Sequence, residues 1–221
     1  MSNGEIIVSV DCKLYLITDR KQTQIPLSEA VLLALQGGVK AIQLREKDLP
    51  IRELLSLAQE LREITKEFNA ELFINDRVDV AIAVEADGVH LGHQSMPISA
   101  VRRIVRHDML IGVSTHTIYE AQDAEAGGAD FITFGPIFPT PSKMHYGDPV
   151  GIEMLQRVKQ YVNIPVFALG GIKLDVIPEV LRAGANGIAM ISAIFASENI
   201  QAAAQTIEGS LLQIHGKKLC E

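Results

Sequence analysis

The stretch "ELFINDRVDVAIAVEADGVHLG" (residues 71–92) decides the fold. An apolar run, ELFIND (71–76), closes on polar residues. RVDVAIAVEA (77–86) follows as its helix-like partner, and GVHLG (88–92) is apolar again. The same alternation recurs along the chain. LYLITD (14–19) leads to a helical stretch from Ser28 to Gln36, and AIQLR (41–45) leads to IRELLSLAQELREITKEF (51–68). There Leu54, Leu55, Leu57, Ala58, Leu61 and Ile64 form a stripe of helical period. GVHLG precedes MPISAVRRIVR (96–106), and LIGVSTH (110–116) precedes TIYEAQDAEAGG (117–128). FITFGPIF (131–138) precedes a proline-rich loop and GIEMLQRVKQY (151–161). PVFALGG (165–171) precedes LDVIPEVLRAG (174–184), and GIAMISAIF (187–195) precedes IQAAAQTIEGSLLQI (200–214).

Runs so nearly continuous in apolar residues predict strands covered on both faces. Strict β/α alternation predicts a parallel sheet. Eight units in 221 residues predict a single-domain (β/α)8 TIM barrel. An open doubly wound sheet is the alternative. It commonly carries G-x-G-x-x-G after the first strand, whereas here that strand runs into ITDRKQTQ (17–24). The expected boundaries are an N-terminal extension over 1–13, the barrel over 14–214 and a tail over 215–221.

The formal net charge of −7 argues against a nucleic-acid partner, because an acidic surface repels a phosphate backbone. The two cysteines, Cys12 and Cys220, have no CxxC or zinc-like spacing and are expected as reduced thiols of a cytoplasmic protein. MSNGEIIVSVDCK (1–13) has no basic segment followed by a long apolar one, so no signal peptide is expected. No run approaches the ~18 apolar residues of a membrane span.

Barrels of this kind carry their sites at the C-terminal strand ends. Here these ends are far more polar than the strands. Gln43, Arg45 and Lys47 share one direction if the second strand persists that far, and Lys143 could join them across the mouth. An acidic chain that gathers cations at its barrel mouth is expected to bind an anion there. The alternative is that Arg45 and Lys47 pair with Glu46, Asp48 or neighbouring helices. Glycines in LGGI (169–172), with MISAI (190–194), mark the usual phosphate site of these barrels. In GPIFPTPSK (135–143), Thr140, Ser142 and Lys143 offer donors from a proline-stiffened loop.

Two anion pockets predict two phosphorylated ligands or one long one. Asp76 is either a charge neutraliser or a Mg²⁺ ligand. His90, inside an apolar strand, reads as a hydrogen-bonded core residue. His107 and His215 read as solvated, in helix or tail. His116, at a strand end, is either an acid/base group or structural.

Together LYLITD, QLREKD (43–48), FINDRVDVAIAVEADGVHLG (73–92), IGVSTHT (111–117), GPIFPTPSK, ALGGI (168–172) and GIAMISAIF resemble the thiamine phosphate synthase family, over residues 14 to about 208. The family fold is a (β/α)8 barrel. Its reaction joins an aminopyrimidine methyl diphosphate to a carboxylated thiazole phosphate, and diphosphate leaves with help from Mg²⁺. The resemblance implies that Gln43, Leu44, Arg45, Glu46, Lys47, Asn75, Ser114 and Lys143 bind the pyrimidine diphosphate. Arg45, Lys47 and Lys143 would stabilise the leaving group. Thr140, Pro141, Ser142, Gly171, Ile191 and Ser192 would hold the thiazole phosphate, and Asp76 would bind one substrate-assisted Mg²⁺.

The chain departs from the family in two places. Ser95 stands where the family usually has a second Mg²⁺-binding aspartate, and Ser142 replaces a common threonine. The loss of the aspartate keeps a thiazole tautomerase-like relative open, with His116 as its acid/base group. A non-catalytic binder of thiazole phosphate or thiamine phosphate is a third reading. A homodimer is compatible with the resemblance.

Overall fold

The computed structural model describes residues 12–140 and 148–218. Pro141, Ser142 and Lys143 lie outside the described residues, as do Cys220 and residues 1–11. Eight parallel strands close into a barrel in chain order: β1 (Leu14–Ile17), β2 (Ala41–Leu44), β3 (Glu71–Asn75), β4 (Gly88–Leu91), β5 (Leu110–Thr115), β6 (Phe131–Phe134), β7 (Val166–Leu169) and β8 (Gly187–Met190). β8 pairs back onto β1, with Leu14 against Ile188. The helices that follow the strands are α1 (Leu27–Gln36), α2 (Ile51–Glu67), α3 (Val78–Ala83), α4 (Ile98–Arg102), α5 (Ile118–Ala126), α6 (Gly151–Val158) and α7 (Ile177–Arg182). Two helices, α8 (Ser192–Phe195) and α9 (Ile200–Lys218), follow β8. The expected single-domain (β/α)8 TIM barrel is the observed fold.

Side-chain alternation splits each strand between two cores. In β1, Leu14 and Leu16 join the large apolar layer between sheet and helices. Tyr15 and Ile17 point inward and join Ala41, Phe73, Leu110, Phe131, Phe167 and Ala189. The rings of Tyr15, Phe73 and Phe131 meet edge to face, with centroids 5.2–5.4 Å apart. Glycines in neighbouring strands make room for them. A Cβ on Gly88 would lie 2.4 Å from Phe73, and one on Gly112 would lie 2.3 Å from Phe131.

The closed end of the barrel repeats one clamp at every second unit. Asp87, just before β4, accepts the Leu72 N–H and pairs with Arg62 of α2. Asp130, just before β6, accepts the Ile111 N–H and pairs with Arg102 of α4. Asn186, just before β8, accepts the Val166 N–H and a bond from Lys159 at the end of α6. Each clamp ties a helix and two adjacent strands, which leaves the opposite end free for function.

Three local expectations change. β2 stops at Leu44, so Arg45 to Lys47 lie in a turn rather than along an extended strand. GIAMISAIF is not one strand: it turns after Met190 into the short helix α8, within an unbroken apolar run. α9 continues to Lys218, past the expected boundary at 214, because extending a packed helix costs far less than nucleating one.

Candidate active site

The polar strand ends converge at the C-terminal mouth. The turn after β2 is organised by Glu46, whose side chain is buried. Its carboxylate accepts from the Thr18 hydroxyl (2.8 Å), the Arg20 N–H (3.0 Å) and the Arg20 guanidinium (3.0 Å). Asp48 takes a bidentate bond from Arg20 (2.6 and 3.0 Å) and an ion pair from Lys21 (2.8 Å). Arg20 and Lys21 hold the exposed Asp48 carboxyl well below the usual range. Both acidic residues flanking Lys47 are therefore satisfied by the loop after β1.

Arg45 and Lys47 make no ion pair among the described residues. The Arg45 N–H is fixed by the Thr18 hydroxyl (2.9 Å). Its side chain is half-buried, and Lys47 is exposed. The open alternative, pairing of these cations with Glu46 or Asp48, does not occur. Buried Gln43 gives its Nε2–H to Tyr15 and keeps only Oε1 for a ligand, and two further expected contributors have their side chains withdrawn from the mouth. Glu46 is bound beneath Arg20, and Leu44 is buried in the outer core. Only their backbones remain available at the mouth.

Asn75 ends β3 and pairs in register with His90 of β4. Asp76 follows with φ 64°, a left-handed conformation that aspartate tolerates better than most residues. Its N–H donates to the His90 carbonyl (2.8 Å), and its exposed carboxylate has no partner among the described residues. Ser95 sits in a turn closed on itself. Its hydroxyl accepts the Gly92 N–H (2.7 Å), and its own N–H donates to the Gly92 carbonyl (3.0 Å). A neutral hydroxyl already serving as an acceptor is a weak metal ligand. The described residues hold no cluster of three or more His, Cys, Asp or Glu that could hold a metal by themselves. One free carboxylate beside unpaired cations does fit Mg²⁺ carried with a diphosphate, since this ion keeps most of its waters and takes one or two carboxylates plus phosphate oxygens.

On the opposite rim, the loop after β6 is strapped to the end of β7. Ile137 N–H donates to Leu169 (2.9 Å) and Phe138 N–H to Gly170 (3.0 Å). Gly171 has φ 65°, and a Cβ there would lie 2.7 Å from Phe138 Cβ and 2.8 Å from the Phe138 and Pro139 carbonyl oxygens. Only glycine lets the two loops approach this closely. Ile191 packs against the inner core, and Ser192 opens α8, exposed. Its N–H has no intrahelical acceptor. Thr140 is half-buried at the edge of the described residues.

His116 is exposed beside this rim. Its Nδ1 bonds the Gly135 carbonyl, and its N–H donates to Glu120 (2.6 Å). His107 is exposed, in a turn rather than in α4. A cavity of about 500 Å³ lies between the loop after β4, α4 and α5, with His93, Ser95, Met96, Ser114, Glu120 and Ala124 in its wall.

Sequence reasoning passed over Arg20, Tyr15 and Thr133. Tyr15 and Thr133 had a signal: each is a hydroxyl inside an apolar strand and needs a buried partner. Tyr15 bonds Gln43 and His90, and Thr133 bonds His90 and Ser114. Among the described residues no helix is long and apolar enough to cross a membrane.

A family model described as thiamine monophosphate synthase matches residues 14–194. A Geobacter sulfurreducens protein, named provisionally as a thiamine-phosphate synthase, is 56% identical over 191 residues, covering 86% of this chain and 90% of its own. The thiamine-phosphate synthase of a Roseiflexus species is 43% identical over 195 residues, covering 88% and 83%. The solved thiamine phosphate pyrophosphorylase from Pyrococcus furiosus superposes with a TM-score of 0.85 at 42% identity, over 91% of this chain and 96% of that one. Fold and sequence kinship agree with the resemblance drawn from the motifs: the chain belongs to the thiamine monophosphate synthase family.

Proposed function

We propose that the protein is a thiamine phosphate synthase. It joins 4-amino-2-methyl-5-(diphosphooxymethyl)pyrimidine to a thiazole phosphate or its carboxylated form, releasing diphosphate. What supports this most directly is the division of charge at the mouth. Arg20 and Lys21 neutralise Glu46 and Asp48, which leaves Arg45 and Lys47 free for an anionic ligand. An enzyme that expels diphosphate needs such uncompensated cations more than it needs a strong base.

In this reading the C–O bond at the pyrimidine methylene breaks and its electron pair leaves with the diphosphate. Arg45, Lys47 and Lys143 stabilise that charge. The electron-rich aminopyrimidine carries the developing cation, and the thiazole nitrogen lone pair then forms the new C–N bond. A carboxylated thiazole also loses carbon dioxide. Gln43, Asn75 and Ser114 orient the pyrimidine substrate, together with the backbone of Leu44 and Glu46. Thr140, Pro141, Ser142, Gly171, Ile191 and Ser192 hold the thiazole phosphate, so catalysis is mainly positioning and electrostatics. Asp76 would hold a Mg²⁺ ion, which would supply further neutralisation of the leaving group. Ser95 contributes no charge to that ion. The partners are two small phosphorylated molecules, and the site of action is the cytoplasm.

Steady-state assay with both substrates and Mg²⁺ tests the reading. Thiamine phosphate should accumulate with one diphosphate per product, and its absence at high enzyme concentration would refute the synthase.

One observation favours the second reading, a thiazole tautomerase. If His116 Nδ1–H donates to the Gly135 carbonyl, Nε2 is left as a basic atom at the rim. Isomerisation of the thiazole carboxylate phosphate, abolished in His116→Ala, would establish it. Ligand binding with neither activity would instead mark a non-catalytic binder of thiazole phosphate or thiamine phosphate.

A further inference from the structure

A line of polar side chains crosses the aromatic interior of the barrel and ends at the mouth. Gln43 Nε2 donates to the Tyr15 hydroxyl oxygen over 3.1 Å. That hydroxyl lies 3.3 Å from His90 Nδ1, and His90 Nε2 lies 3.0 Å from Ser114 Oγ. Tyr15, Gln43 and His90 are fully enclosed, while Ser114 reaches the wall of the 500 Å³ cavity.

The chemistry of the first member sets a direction. An amide nitrogen only donates, so the Tyr15 oxygen accepts and turns its own proton to His90 Nδ1. Nδ1 then accepts, Nε2 carries the imidazole proton, and Nε2–H donates to Ser114 Oγ. The Ser114 oxygen then accepts from His90, and the Thr133 hydroxyl donates to it over 3.5 Å, which leaves the Ser114 proton for a ligand at the mouth. The direction holds only while the imidazole is neutral, because a protonated ring donates at both nitrogens. The ring stays neutral because it is enclosed against Tyr15 and Phe131 and, among the described residues, no carboxylate bonds either nitrogen.

We propose that Tyr15 and His90 are positioning residues that fix the Ser114 hydroxyl as a hydrogen-bond donor to an acceptor atom of the pyrimidine diphosphate. The role of Ser114 toward that substrate rests on the synthase reading. The direction of the relay does not.

Two measurements test it. The first is the tautomer of His90, read from long-range ¹⁵N–¹H correlations of histidine-labelled protein. The resonances of His90 are those that do not titrate near neutral pH and that shift in Tyr15→Phe. Nε2–H is expected, and Nδ1–H would overturn the relay. The second is a double-mutant cycle on single-turnover rates. Tyr15→Phe removes one hydrogen bond and little volume. It should slow product formation roughly five- to tenfold in the wild type, yet less than about twofold in a Ser114→Ala background, because the relay ends at that hydroxyl. Additive effects would show that Tyr15 does not act through Ser114 and overturn the proposal. Wild-type protein that yields no thiamine phosphate, yet shows the Nε2–H tautomer, would refute the synthase and leave the relay standing.

Discussion

Arg20 places its guanidinium 3.0 Å from Glu46 Oε2, and the same group grips Asp48. One cation from the loop after β1 thus takes up both acidic neighbours of Lys47. Arg20→Ala should leave buried Glu46 without one of its three hydrogen bonds, and Asp48 held by Lys21 alone and able to draw Lys47 or Arg45 away from substrate. Arg20 is about one-third exposed, so the stability loss should be roughly 1–2 kcal/mol rather than that of a fully buried pair. The KM for the pyrimidine diphosphate should rise about tenfold. Denaturant unfolding and steady-state kinetics measure the two effects. An unchanged KM would mean that Arg20 does not govern the mouth cations.

Asp76 and Ser95 should affect Mg²⁺ in opposite directions. Asp76→Asn keeps a residue that accepts φ 64°, so the fold should survive. The Mg²⁺ concentration for half-maximal activity should rise by about tenfold or more. Ser95→Asp can still accept the Gly92 N–H while adding a second carboxylate, and should lower that concentration. If neither variant moves the titration, the metal lies elsewhere.

Two glycines separate backbone strain from close approach. Gly128 has φ 92° and open space where a Cβ would go, whereas Gly171 faces Phe138 and Pro139 within 2.8 Å. Gly128→Ala should cost only the left-handed penalty, about 1–2 kcal/mol, with normal kinetics. Gly171→Ala should also push the β6 loop outward and raise the KM for the thiazole phosphate by about tenfold or more. Equal kinetics for the two variants would dissociate Gly171 from that pocket.

The barrel was legible because short, nearly continuous apolar runs alternate with stretches of helical period from Leu14 onward. The α8 turn was not, because Ile191 to Phe195 stay apolar whether strand or helix. His90 could be read as a core residue, since an apolar strand leaves a polar ring no choice but to find partners. The Arg20 pairing could not. It spans 26 residues, and nothing in REKD distinguishes acids paired locally from acids paired with the loop after the neighbouring strand.

Stability should respond to pH through buried His90 and half-buried Glu208, with opposite signs. His90 has its folded pKa depressed to about 3 by burial and Arg45, so the unfolded chain binds the extra proton. Its contribution is complete above the unfolded value near 6.5 and is lost as pH falls toward 3. Glu208 is pushed up to about 7 by burial, opposed by Lys40. Its contribution is complete below the unfolded value near 4.5 and is lost as pH rises through about 7. Glu208→Gln should therefore raise Tm at pH 8 by a few degrees and leave it nearly unchanged at pH 4. A Tm lowered at pH 8 would contradict the assignment.

Rapid-quench single turnover tests the central claim most directly, with enzyme in excess over the pyrimidine diphosphate and saturating thiazole phosphate and Mg²⁺. The account predicts thiamine phosphate and diphosphate appearing at one rate in equal amounts, and no thiamine phosphate when the thiazole phosphate is omitted. Complete return of both substrates unchanged, or diphosphate released without any new C–N bond, would contradict it.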